Sequence, residues 1–255
     1  MRSAAARPFI AHPRVVVLFF SILAACAAPR APVTPEGRLD VLAPDPGFFS
    51  RAAPGDWVVE GMHDGKGGGS KSGGTWSLSS LDGVPAIKVV NGRAPSVAVR
   101  RTQALVLATP FLSWSWNVGP YRGALHPLRL IVGFDGGAPD TGKGWDNGLF
   151  HAFVSKLPSH DREISFVWGR SALERGKLFA PPSHGRKTPA PYYVVRGGRE
   201  NTSQWWLETV DLSDLYSRVW PGDDIEKARI VFIGLAAEGG RPPSSAYFSG
   251  IRLSR

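Results

Sequence analysis

Apolar and polar residues alternate with period two through much of this chain. The pattern is clearest at residues 112–118, where Leu112, Trp114, Trp116 and Val118 share one face and Ser113, Ser115 and Asn117 the other. Side chains of a strand point alternately to its two faces, so this spacing predicts a strand with one buried face. Residues 57–60, 75–81, 86–90, 95–106, 164–168, 192–195, 230–235 and 246–253 read as further short strands. Residues 128–134 form a more continuous apolar strand. Residues 205–210 set Trp205, Leu207 and Thr209 opposite Trp206, Glu208 and Val210. Asp82-Gly83 suits the tight turn of a hairpin. The period changes only at residues 211–219, where Leu212, Leu215, Tyr216 and Val219 recur at helical spacing. Asp211 stands there as the cap and Pro221-Gly222 as the stop. About ten short strands and one short helix predict an all-β fold, an antiparallel β-sandwich of jelly-roll type.

The segments between and before these strands have other compositions. Residues 61–74 hold seven glycines with Lys66 and Lys71, which predicts a loop and assigns it no role. Residues 27–46 are rich in Ala and Pro (Pro29, Pro32, Pro35, Pro44, Pro46), which predicts an extended tether. The folded domain is therefore expected over residues 47–255. At the start, Arg2, Arg7 and Arg14 lead into an uncharged run, residues 15–25, that ends Leu23-Ala24-Ala25-Cys26. The run is too short to span a bilayer and has the layout of an export signal. Its end resembles a bacterial lipobox, which implies a signal peptide over residues 1–25, an acylated Cys26 and a tether over 26–46. Cys26 is the chain's single cysteine, and a lone thiol in an oxidising compartment is a liability that acylation removes. Several acyl chains hold a protein firmly at a membrane. Ala27, where an aspartate would signal inner-membrane retention, favours the outer membrane facing the periplasm.

Charge changes this picture little. The formal net charge of +9 falls to +6 when the signal takes its three arginines. An excess of positive charge suits anionic lipid or polysaccharide, and an envelope address excludes nucleic acid. No run of five like charges occurs, so a solvated basic surface is the simplest reading.

Four segments carry a resemblance. LSWSWNV (residues 112–118), ISFVWG (164–169), QWWLETVDL (204–212) and SAYFSGIRL (245–253) stand in the order and rough spacing of the uncharacterised bacterial family DUF3047. The resemblance covers roughly residues 48–255 and implies an exported β-sandwich with no established activity. The sequence departs from the family's pattern twice. Residues 121–126 (YRGALH) stand where members carry an acidic pair, and residues 236–241 (AAEGGR) stand where they carry an Asp/Thr/Asn-rich loop. Any cation or ligand site built on those acids is expected to be altered here.

Catalytic and metal motifs are weak. Residues 137–143 (GAPDTGK) end on Gly144 where a phosphate loop needs Ser or Thr, and no helix start follows. His63, His126, His151, His160 and His184 show no zinc spacing, and His160-Asp161 reads as a solvated pair. Asp135, Asp140 and Asp146 match no EF-hand. No G-x-S-x-G elbow exists. Glu163, Glu208, Asp211, Asp214 and Glu238 are candidate carboxyls for glycoside cleavage, but no spacing singles out a pair. Neither a catalytic residue, a metal nor a cofactor is called for.

Nine tryptophans weigh more. Sugars present flat C–H faces to aromatic rings, and nearby amides and acids orient their hydroxyls. Trp114, Trp116 and Trp168 are expected in the core. Trp145, with Asp146 and Asn147, and Trp206 are the candidate ligand-binding residues, with Arg100 and Arg101 as a basic patch. The expected function is a non-catalytic lipoprotein that binds an envelope glycan or another envelope component. The alternatives are a polysaccharide-cleaving jelly-roll enzyme, which needs two carboxyls on one groove, and an assembly protein that binds an envelope protein.

Overall fold

The computed structural model describes residues 28–43, 54–63, 73–136, 156–179 and 190–255. Its first strands are β1 (Leu39–Leu42), β2 (Trp57–Glu60), β3 (Met62–His63), β4 (Gly74–Leu81) and β5 (Val84–Val90). Then come β6 (Ser96–Leu105), β7 (Phe111–Val118), β8 (Leu128–Asp135), β9 (Arg162–Gly169) and β10 (Leu178–Phe179). The chain closes with β11 (Tyr192–Gly197), β12 (Trp205–Asp211), α1 (Leu212–Val219), β13 (Arg229–Ala237) and β14 (Ser245–Ser254). These elements build two sheets. The first runs β12-β7-β14-β5-β4-β3, with β1 also on β14, and the second runs β10-β11-β9-β8-β13-β6-β2. The result is the expected jelly-roll-like β-sandwich, largely antiparallel, with α1 as its single α-helix among the described residues.

Two pairings correct the purely antiparallel expectation: β11 runs parallel to β9, and β3 parallel to β4. The longer route from β9 to β11 permits a crossover that a hairpin does not.

A second correction concerns the tether. Residues 39–42 were expected within it, yet they form β1 and pair with the last strand, Leu39 opposite Leu253 and Asp40 opposite Arg252. Leu39, Val41 and Leu42 are buried. Four such residues among prolines suffice for a strand once β14 offers a free edge. β14 shares its length, with residues 245–248 bonding to β5 and Ile251, Arg252 and Leu253 to β1. Gly250, at φ +62°, sits where its register with β7 shifts.

The core lies between the sheets and is rich in aromatics. Trp114, Trp116 and Trp168 are fully buried, as their alternation implies. Trp116 meets Trp114 at 5.7 Å and Trp168 at 5.4 Å, edge to face. Each such ring buries enough apolar surface to contribute several kcal/mol, at about 25 cal/mol per Å². The Asp82-Gly83 turn has both residues at positive φ, as a type I′ hairpin requires. Asp211 caps α1 by accepting from the Ser213 and Asp214 amides. Beyond the helix, Asp223 binds the Arg162 guanidinium and the Tyr216 hydroxyl, which pins α1 to β9.

The second sheet buries both of its faces. Leu130, Val132, Ile164 and Phe166 point into the sandwich. Val58, Val97, Val99, Ile131, Phe232 and Ala236 form a second apolar cluster on the outer face, with Leu157 packed on it. A sheet covered on both sides needs near-continuous apolar strands, and residues 128–134 supply one.

Candidate functional site

Charged residues inside that doubly buried sheet mark the site. Arg129 interrupts the apolar run of β8, and Glu163 stands near the start of β9. Both lie on the outer face, two residues along their strands from Ile131 and Ser165, which are register partners. Ser165 is in turn opposite Tyr192 of β11. The antiparallel register sets Glu163 opposite Gly133, four residues along β8 from Arg129, with Tyr192 opposite Ser165 between those two levels.

Arg129 is 6% exposed and Glu163 3%. The Arg129 guanidinium is ion-paired through Nη2 with Glu238, which follows β13. Its Nε and the Glu163 Oε1 are buried without a hydrogen-bond partner among the described residues. Burial pulls Arg129 down to about 10, against the charges of Glu163 and Tyr192. Burial raises the Glu163 carboxyl to about 7, against the charge of Arg129.

His160 was expected to be solvated with Asp161. It is instead largely buried, because the segment leading into β9 folds back over the outer face. Its ring stands edge-on to Phe232 at 4.9 Å. Its Nδ1 lies 2.8 Å from the Pro158 carbonyl, so Nδ1 carries the proton. Its Nε2 is 3.8 Å from Glu163 Oε2. Burial lowers the His160 pKa, so the ring is neutral. The Asp161 carboxylate accepts from the Gly136 amide at 3.3 Å. Phe232 is itself seated on Gly133, where any Cβ would collide with its ring.

An aromatic pair borders the cluster. Tyr192 stacks on Phe179 of β10, with centroids 4.7 Å apart and planes 17° off parallel. Phe179 is 40% exposed. Tyr193 points the other way and meets Phe166 of the core. The aromatic pair is partly open to solvent at Phe179, while Arg129 Nε and Glu163 Oε1 lie beneath the surface with no hydrogen-bond partner among the described residues.

The residues singled out from sequence are distributed otherwise. Cys26, Trp145, Asp146 and Asn147 lie outside the described residues. Trp206 is half-buried on β12. One face of its ring is covered by the Arg196 guanidinium at 3.7 Å, and its Nε1 donates to the Asn201 carbonyl. Trp205 is also half-buried and donates to the Leu81 carbonyl, and the side chain left outside is Leu207, 71% exposed. Arg100 holds Asp56 at 2.8 Å and donates to the Asp40 and Val41 carbonyls. Arg101 donates to the Gly55 and Trp57 carbonyls. Both arginines tie down the N-terminal segment. They do not meet Trp206 in one site, for β6 lies next to the β2 edge while β12 closes the first sheet near β11.

Glu208 is a second buried carboxyl, on the inner side of β12. It accepts from Arg196 at 2.5 Å and from the Trp116 indole at 3.3 Å, with Arg175 at 3.6 Å. Its partners are complete, and it serves structure. Asp214 pairs with Arg218 along α1. Among the described residues no group of three acids, histidines or cysteines is placed to hold a metal.

Sequence reasoning named Glu163 without an environment and passed over Arg129, Tyr192 and Phe179. The available signal was a charge inside a continuous apolar run, at Arg129 in LRLIVGF and Glu163 in REISFVWG.

These features define a class: a two-sheet β-sandwich with a polar cluster set into the outer face of one sheet. The chain belongs to the family described as protein of unknown function (DUF3047), whose model matches residues 66–252. No curated protein matches it. Among solved structures it is similar to a family 11 carbohydrate-binding module from Clostridium thermocellum in complex with a mixed-linked tetrasaccharide. The identity there is 9% and the TM-score 0.39, over 84% of this chain and 94% of that one. It is similar to endoglucanase 3 of Trichoderma harzianum, from family GH12, at 10% identity and TM-score 0.39, over 78% of this chain and 90% of that one. A family 30 carbohydrate-binding module of Clostridium thermocellum follows at 10% identity and TM-score 0.34, over 79% of this chain and 87% of that one. Likeness this distant transfers no residue and no ligand.

Proposed function

We propose that this protein is a lipid-anchored module of the bacterial envelope, held through Cys26, that binds a glycan on the outer face of its second sheet. One observation carries the reading: on the same sheet as the partly exposed Phe179–Tyr192 pair, Arg129 Nε and Glu163 Oε1 are buried without partners among the described residues. A buried polar atom left unbonded costs about 1–3 kcal/mol, so a ligand that reached either atom would recover part of that cost. A sugar is suited to such a face, with its C–H face on an exposed ring and its hydroxyls toward the polar residues.

Calorimetric titration of the full-length protein in detergent with envelope and plant-type oligosaccharides tests this. Saturable heat that Tyr192→Ala abolishes supports it, and no heat across the panel refutes it. Radiolabelled fatty acid incorporated by the wild type and not by Cys26→Ser tests the anchor.

One observation favours a second reading, cleavage of the glycan. Glu163 holds a proton near neutral pH, as a general acid requires. Release of new reducing ends, lost in Glu163→Gln, would establish it.

A further inference from the structure

We infer that the opposite side of the sandwich, the outer face of the first sheet, holds a second glycan-binding surface, and that its ligand is an acidic oligosaccharide built of uronic acids. The inference goes beyond the second-sheet reading, since it concerns other residues on the other sheet.

Strand register assembles the surface. Trp205 stands opposite Asn117, Asn117 opposite Tyr247, Tyr247 opposite Lys88 and Lys88 opposite Ser77. One row therefore crosses β12, β7, β14, β5 and β4 at a single level. Its chain neighbours fix the side on which it lies. Trp116 and Val118 flank Asn117, Ala246 and Phe248 flank Tyr247, Ile87 and Val89 flank Lys88, and all six are buried in the core between the sheets. Alternation then turns the row outward. Neighbouring strands lie about 4.8 Å apart, so Trp205 to Lys88 spans about 14 Å, more than one sugar ring covers.

The row meets both a sugar ring and an anion. Trp205, Tyr247 and Lys88 are each partly exposed, whereas Asn117, 4% exposed, forms the floor between the two aromatic residues. Lys88 carries its ammonium over the Tyr247 ring, 5.5 Å from the centroid. A carboxylate and the C–H face of the sugar that bears it thus find partners at neighbouring points. The Trp205 ring is held in place beforehand. β5 pairs with β14 only over Ile87 to Val90. Beyond that length the β4–β5 hairpin leans over the sheet. There the Pro85 carbonyl accepts from Ser249 Oγ at 2.8 Å and the Leu81 carbonyl from Trp205 Nε1 at 3.2 Å. The hairpin gives the row one wall, and a ring already fixed loses little freedom when a ligand stacks on it. The chain's formal charge of +9 favours the approach of an anion, and Lys88 gives that anion a definite point of attachment.

The test is a calorimetric comparison on the full-length protein in detergent. Oligogalacturonate and alginate oligomers are set against neutral β-glucan oligomers of similar length. The acidic oligomers should bind saturably, and Tyr192→Ala should leave their affinity within a few-fold. Lys88→Met keeps the aliphatic stem and removes the charge, so it should weaken acidic oligomers roughly tenfold and flatten their dependence on salt. The same variant should leave neutral oligomers within a few-fold. Tyr247→Leu should also weaken the acidic oligomers, with native near-ultraviolet dichroism confirming its fold. Acidic oligomers that fail to bind, while neutral ones bind through Tyr192, would overturn this surface and leave the second-sheet reading standing. Acidic binding that Tyr192→Ala abolishes and Lys88→Met leaves unchanged would do the same. If neither class binds, both readings fall.

Discussion

Replacing Glu163 with glutamine isolates the energetics of the outer-face site. Burial lifts this carboxyl from 4.5 to about 7 in the fold. An unfolded chain releases the same proton near the lower value. Between the two, the native state holds a proton that the unfolded state has lost, so stability falls as pH rises through this window and levels off above it. One pKa unit corresponds to about 1.4 kcal/mol, which makes the cost of ionising Glu163 inside the fold about 3 kcal/mol. Glutamine has the same shape and never ionises, so the variant escapes that cost. Urea unfolding followed by tryptophan fluorescence, at pH values below 4.5 and well above 7, measures the difference between the two proteins. They should be nearly equal at the acid end, and the wild type should be about 3 kcal/mol the less stable at the alkaline end. Comparison of the pair is essential. His126, held down to about 4 by burial, and His160 titrate with the opposite sign over the acid range and cancel in the difference. A difference that stays constant with pH would refute the assignment of Glu163 as a buried, incompletely bonded acid.

Three further substitutions probe the frame around the site. Gly133→Ala drives a methyl into the Phe232 ring and should destabilise by about 1–3 kcal/mol, read as a lower urea midpoint. Glu208→Ala leaves Arg196, 12% exposed, without its carboxylate and the Trp116 indole without an acceptor. The loss should be about 3–5 kcal/mol by thermal denaturation. Arg100→Ala removes the bonds to Asp56 and to the β1 carbonyls, so limited proteolysis should cut residues 28–42 faster than in the wild type.

The legible part of the fold was the part written in local period. Backbone geometry alone turns side chains through two faces per pair of residues, so the tryptophan alternation of β7 announced both the strand and its buried face. The same holds for α1, where spacing, the Asp211 cap and the Pro221-Gly222 stop all lie within one short stretch. β1 was missed because four residues in a proline-rich setting carry almost no local signal. Its existence depends on a free length of β14 more than two hundred residues later.

Within the site the division is sharper. In β12 the alternation placed Glu208 and Leu207 on opposite faces. Which face was inside depended on pairing with β7 and on Arg196, and the outcome buried the acid and exposed the leucine. Glu163 and Glu208 are the same residue type in similar strands, yet one is fully partnered and the other is not. That difference is set by register across β8, β9 and β11 and by the fold-back of His160, and none of these is a neighbour relation along the chain. Sequence determined the strands, the helix and the core tryptophans, because those follow from the direction of each side chain on its own backbone. Only tertiary structure decided that Arg129 Nε and Glu163 Oε1 would be buried without partners among the described residues, because desolvation and charge are properties of what surrounds a residue.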